Sequence, residues 1–177
     1  MSFVTVFHKF KPVRATPEFF AMVDDCFERA KFAPAALCCY SARLADSSFE
    51  RKDIAWNDRG RIGVNPWSIR TGYESVLRGD NWLRVTASFN DQGLCGGLAV
   101  ESMNPGGVEK ELYTKREKAE AIQLYSLATD LHKTLCCEET VAENNYNKTV
   151  WFRFAEKDSQ LLGELALYEP PYDEDDD

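Results

Sequence analysis

Histidine is nearly absent from this chain: His8 and His132 are the two imidazoles in 177 residues. A nucleophilic triad needs a base for the nucleophile's proton, and neither histidine is accompanied by a G-x-S-x-G elbow, so no histidine-based triad is legible. Long apolar runs are missing too, and the N-terminal stretch MSFVTVFHKFKPVR has no basic segment leading into an apolar one. Neither secretion nor insertion into a bilayer is expected. The glycines at Gly93, Gly96, Gly97, Gly106 and Gly107 match neither the G-x-G-x-x-G fingerprint nor the phosphate loop ending in Gly-Lys-Ser/Thr. Hairpin turns and close strand packing account for them instead.

Cysteine is present without the spacing that gives it chemistry. Cys26, Cys38, Cys39, Cys95, Cys136 and Cys137 include two adjacent pairs and no C-x-x-C. Adjacent cysteines point to opposite faces of a strand and suit a bridge framework poorly, so reduced thiols in the cytoplasm are expected. The one metal-like pattern is His132 with Cys136, four apart on one helix face, which Cys38 or Cys39 and His8 could complete. Buried cysteine behaves as a small hydrophobe, which explains all six without a ligand role. No metal or cofactor is therefore expected. The triplet Asn147-Lys148-Thr149 would matter only in a secreted protein.

What is present is core-forming material: 44% apolar residues and 12% aromatic ones, enough for a chain of this length to fold without staples. The net charge of −8 is uneven, because Glu169, Asp173, Glu174, Asp175, Asp176 and Asp177 supply six of the 29 acids. Residues 1–168 hold 23 acids against 21 bases and read as one globular domain; residues 169–177 read as an acidic, unstructured tail.

Residues 2–10 alternate, with Phe3, Thr5 and Phe7 opposite Val4, Val6 and His8, which predicts a strand. Thr16-Pro17 is an N-cap and first-turn pair for a helix ending before Pro34, and residues 35–44 predict a second strand. Residues 45–65 read as a long loop with at most a short strand at Ile54 to Trp56. Asn65-Pro66 predicts a helix with Ile69, Tyr73, Val76 and Leu77 on one face, ended by Gly79. Residues 82–89 and 94–103 predict a hairpin about Asn90-Asp91-Gln92-Gly93. Thr114 with Glu117 forms a capping box for a helix running to about Cys136, and residues 149–156 and 161–168 predict a closing hairpin. The expected fold is α+β: a mainly antiparallel sheet of about five strands with about three helices packed on one face.

The segment most suggestive of function is residues 54–84, with Trp56, Trp67, Trp82, Arg59, Arg61, Arg70, Arg78 and Arg84 and a charge of +2. Tryptophan and arginine dominate binding hot spots and also stack on bases or neutralise phosphate. The leading expectation is a non-enzymatic cytoplasmic binding protein that engages, and can inhibit, a macromolecular partner, a protein in the first place. Its binding residues would be Trp56, Arg59, Arg61, Trp67, Arg70 and Arg78. Single-stranded nucleic-acid binding on an OB-like core after Trp82, with a regulatory acidic tail, is the first alternative. An enzyme assembled from scattered residues near His132 and Cys136 is the second. Paired carboxylates such as Asp24, Asp25 and Glu28 fall on the polar side of the first helix and read as solvated.

Overall fold

A computed structural model describes residues 2–61, 66–77, 82–103, 124–144 and 150–155. The architecture corrects the expected five strands and three helices. Eight strands form one antiparallel sheet, and the described residues hold two helices besides a short 3-10 turn. The strands are β1 (Ser2–Val13), β2 (Phe32–Arg43), β3 (Phe49–Ala55), β4 (Pro66–Ser75), β5 (Trp82–Phe89), β6 (Cys95–Met103), β7 (Glu139–Asn144) and β8 (Val150–Ala155). The helices are α1 (Pro17–Arg29) and α2, described over residues 124–134. The predicted capping box at Thr114, the strand at 161–168 and the acidic tail lie outside the described residues.

The sheet order is β3-β2-β4-β5-β6-β1-β7-β8. Each neighbouring pair is antiparallel, so β1 and β2 run parallel four places apart, and β6 and β7 run parallel on either side of β1. Parallel strands cannot be joined by a hairpin, which is why a helix-bearing crossover follows β1 and another follows β6. The two crossovers travel in opposite directions along the sheet and start from strands of opposite direction. With the usual right-handed sense, both helices land on the same face. Their contact agrees: Arg29 Nε lies 2.8 Å from Asp130 Oδ2, and Cys26 Sγ lies 3.4 Å from Thr134 Oγ1. The same order removes the OB-like unit expected after Trp82, because β1 is inserted between β6 and β7.

The helix-covered face carries the core. Val4, Val6 and Phe10 of β1, Leu98 and Val100 of β6, Leu83, Val85 and Ala87 of β5, and Ile69 and Tyr73 of β4 are buried in register beneath Phe19, Val23, Phe27, Leu127 and Leu131. Phe27 stacks on Tyr73 with ring centres 3.9 Å apart, and Tyr125 meets Phe152 edge-on at 5.3 Å. Thr16 caps α1 by accepting from the Phe19 N–H at 3.3 Å, and Pro17 occupies the first turn. Gly60, at φ +79°, lets the chain after β3 press on the start of α1: a Cβ there would lie 2.4 Å from the Thr16 carbonyl carbon.

Two readings of the chain are corrected locally. Residues 66–75 are β4 and not a helix, since Ile69, Thr71 and Tyr73 share one face at period two. A spacing of four fits both periods, and Ile69 with Tyr73 alone could not tell them apart. The loop expected at 45–65 contains the seven-residue strand β3, whose charged run Glu50-Arg51-Lys52-Asp53 belongs to a sheet edge. Such charge on an edge opposes pairing with another chain. Strand β7 was not anticipated; it pairs with β8, the place expected for residues 161–168.

Candidate interaction site

The sheet cuts the Trp/Arg segment into two environments. Arg59 lies on the helix side with 2% of its side chain exposed. Its Nε donates to the Trp56 carbonyl at 2.6 Å, and Nη1 donates to Tyr73 Oη at 3.0 Å and Thr71 Oγ1 at 3.3 Å. Nη2 is ion-paired with Asp24 Oδ2, while the Tyr73 hydroxyl donates to Asp24 Oδ1 at 2.6 Å. Burial drives the Tyr73 phenol far above its ordinary value, which keeps it a proton donor here. The guanidinium carbon is 5.0 Å from the Phe20 ring centre and 5.7 Å from that of Trp56. Arg59 thus ties the turn after β3 to α1 and β4, and its exposure leaves it no surface for a partner.

Trp56, 40% exposed, faces a cleft beside α1. Arg61 is exposed and 3.8 Å from Asp58, a surface pair three residues apart. Arg78 lies outside the described residues.

Trp67 and Arg70 belong to the other face, which no described helix covers. Ala42 pairs with Pro66 and Ser41 with Ser68, so Trp67 is the extra residue of a β-bulge. Bulges re-aim side chains, and this one sets the Trp67 ring 5.4 Å from Phe49 of the edge strand with Arg43 6.0 Å above it. Trp67 is 44% exposed and Phe49 51%. Arg43 also reaches Asp91 of the β5–β6 turn at 3.7 Å. Arg70 is exposed, with no ion pair among the described residues, in the register row Asp53, Cys39, Arg70, Thr86, Ala99, Phe7. Phe7 is 47% exposed at mid-sheet, and Trp82 stands on this face beside Glu74.

Reading the segment by composition missed Phe7, Phe49 and Arg43, which lie outside residues 54–84. For Phe7 the signal was available: alternation set it opposite Val4, Val6 and His8. For Phe49 and Arg43 none was, since pairing of β2 with β3 brings them together.

The histidines do meet. Thr140 Oγ1 lies 2.9 Å from His8 Nδ1 and 2.8 Å from His132 Nδ1, joining α2, β1 and β7. Thr140 has one hydroxyl proton, so at least one of the two rings donates its Nδ1–H to the oxygen. His8 Nε2 is buried with no hydrogen-bond partner among the described residues. A bare lone pair there costs less than an orphaned N–H, which assigns the His8 proton to Nδ1, donating to Thr140 Oγ1. Burial, with His132 nearby, lowers the His8 pKa from 6.5 to about 3. Cys137, not Cys136, is the thiol beside His8, at 3.9 Å, and burial pushes it up to about 12. Cys136 is exposed at φ 49°, with its Sγ turned to the Lys133 carbonyl. Among the described residues no group of three or more His, Cys, Asp or Glu could hold a metal ion.

No helix among the described residues is long and apolar enough to cross a membrane. No protein-family model, curated protein or solved structure matches this chain.

Proposed function

We propose that this chain is a non-enzymatic binding protein that takes a protein partner on the face of its sheet that no described helix covers, anchored at the Trp67–Phe49–Arg43 corner and Arg70. The observation that carries this reading is the β-bulge that turns Trp67 outward against Phe49 while Arg43 lies over the indole. Exposed aromatic rings beside arginine are the makings of a hot spot, and a packed pair of rings loses little freedom on binding. The charges on this face favour a protein over a polyanion: Lys9, Arg51, Arg70 and Arg153 alternate with Asp53, Glu74, Glu139 and Glu143, and Arg84 is neutralised by Glu101 at 2.7 Å. Phosphate binding rests on an unbroken basic surface. The cytoplasm is the proposed compartment, since all six cysteines are free thiols.

The test is affinity capture from the native host with the wild-type chain and with the Trp67→Ala/Phe49→Ala variant, followed by titration of the purified partner. We expect a protein whose affinity falls at least about tenfold in the variant, the scale of one hot-spot side chain. Undiminished capture, or salt-sensitive capture of nucleic acid alone, would overturn the reading.

A further inference from the structure

A second candidate site lies on the other side of the molecule. A cleft of about 560 Å³ opens between α1 and the ends of β2 and β4, lined by Ala21, Asp24, Asp25, Glu28, Phe32 and Trp56, with Lys31, Ala33, Pro34 and Val76 also in its wall. The volume is that of small-ligand sites. Ala21, Asp24, Asp25 and Glu28 stand at i, i+3, i+4 and i+7 on α1 and form one stripe along its wall.

The charges do not cancel. Asp24 spends both oxygens on Arg59 and Tyr73, which closes the account of that pair. Asp25 and Glu28 have no ion pair among the described residues, and Lys31 is the single basic group in the lining. The residual charge is therefore negative. Trp56 forms the aromatic wall and is held in place, because its carbonyl accepts from Arg59 Nε and its ring lies against the Arg59 guanidinium. The buried Phe32, a fixed indole and two exposed carboxylates without an ion pair among the described residues suit a cation on an aliphatic stem.

We propose that this cleft binds an arginine or lysine side chain presented by a partner polypeptide. The stem lies along Phe32 and Pro34, and the charged head reaches Trp56, Asp25 and Glu28. The site is separate from the Trp67 corner, on the opposite side of the sheet, and stands or falls independently of it.

The experiment uses the full-length, ¹⁵N-labelled chain and follows the Trp56 indole N–H signal, assigned by its loss in Trp56→Phe. The probes are acetyl-Ala-Arg-Ala-amide, the same peptide with citrulline in place of arginine, and methylguanidinium chloride, at matched ionic strength. The expected result is a saturable shift with the arginine peptide and at least tenfold weaker binding of the citrulline peptide. Asp25→Asn/Glu28→Gln, two exposed substitutions that leave the core intact, should weaken the arginine peptide about tenfold, whereas Trp67→Ala should leave it unchanged. Equal binding of the citrulline peptide, no shift with the arginine peptide, or no loss in the double variant would overturn the proposal. Methylguanidinium binding as tightly as the arginine peptide would overturn its assignment to a polypeptide.

Discussion

Two arginines eleven residues apart in sequence occupy opposite sides of the same sheet. Arg59 is enclosed by Asp24, Tyr73, Thr71, Phe20 and Trp56, with its donors spent inside the molecule. Arg70 stands on the face that no described helix covers, beside Cys39 and Thr86 in register, exposed and without an ion pair among the described residues. The difference teaches that composition marks a segment as unusual without saying for whom: Arg59 maintains the fold, while Trp67 and Arg70 remain available at the surface.

The comparison breaks most sharply if the two arginines are removed in turn. Arg59→Ala leaves Asp24 and Tyr73 without their cationic partner and is expected to cost about 3–5 kcal/mol in urea unfolding. Arg70→Ala should stay within about 0.5 kcal/mol of wild type, as surface changes do. Similar losses for both would refute the assignment of Arg59 to structure.

The histidines sharpen the same contrast by pH. The folded-state pKa of His8 lies below its ordinary 6.5, so as the pH falls the unfolded chain takes the proton first. Stability from this group is full above 6.5 and is lost as the pH falls towards 3, at up to about 1.4 kcal/mol per pH unit. Burial also lowers His132, which adds loss of the same sign. Urea midpoints between pH 7 and pH 4 should show this limb in wild type and a shallower one in His8→Gln; equal slopes would remove His8 from the account.

At the start of α1, Thr16→Ala deletes the acceptor for the Phe19 N–H and should cost about 1 kcal/mol. The smallest effect is expected on the face that no described helix covers: the exposed pair of Arg153 and Glu139, 3.6 Å apart, should contribute under about 0.5 kcal/mol in a double-mutant cycle run at low salt. A larger coupling would mean that this face is more ordered than its exposure implies.

Much of the local structure was legible in the chain. Alternation marked β1 and β5, an apolar run marked β6, the Thr16-Pro17 pair marked the start of α1, and Asn90 with Gly93 marked the hairpin turn, where the Asn90 side chain accepts from Gln92 and Leu94. Strand β4 was misread because Ile69 and Tyr73 satisfy helical and strand spacing alike. Strand β7 carries a weak signal in the chain because its inward residues, Thr140 and Ala142, are small and bounded by Glu139 and Glu143. Of the candidate site, Trp67 and Arg70 were legible by residue type, but their neighbours Phe49, Arg43 and Phe7 come from other strands.

The sequence by itself determined which residues prefer a strand, where α1 is capped and which positions lack catalytic or metal-binding spacing, because those properties reside in a few neighbouring side chains. Only the tertiary structure decided that β1 lies between β6 and β7, that Arg59 is enclosed while Arg70 is not, and that Trp56 faces the carboxylates of α1. Strand order is set by which apolar faces can be buried together across long separations, and no local pattern records that choice.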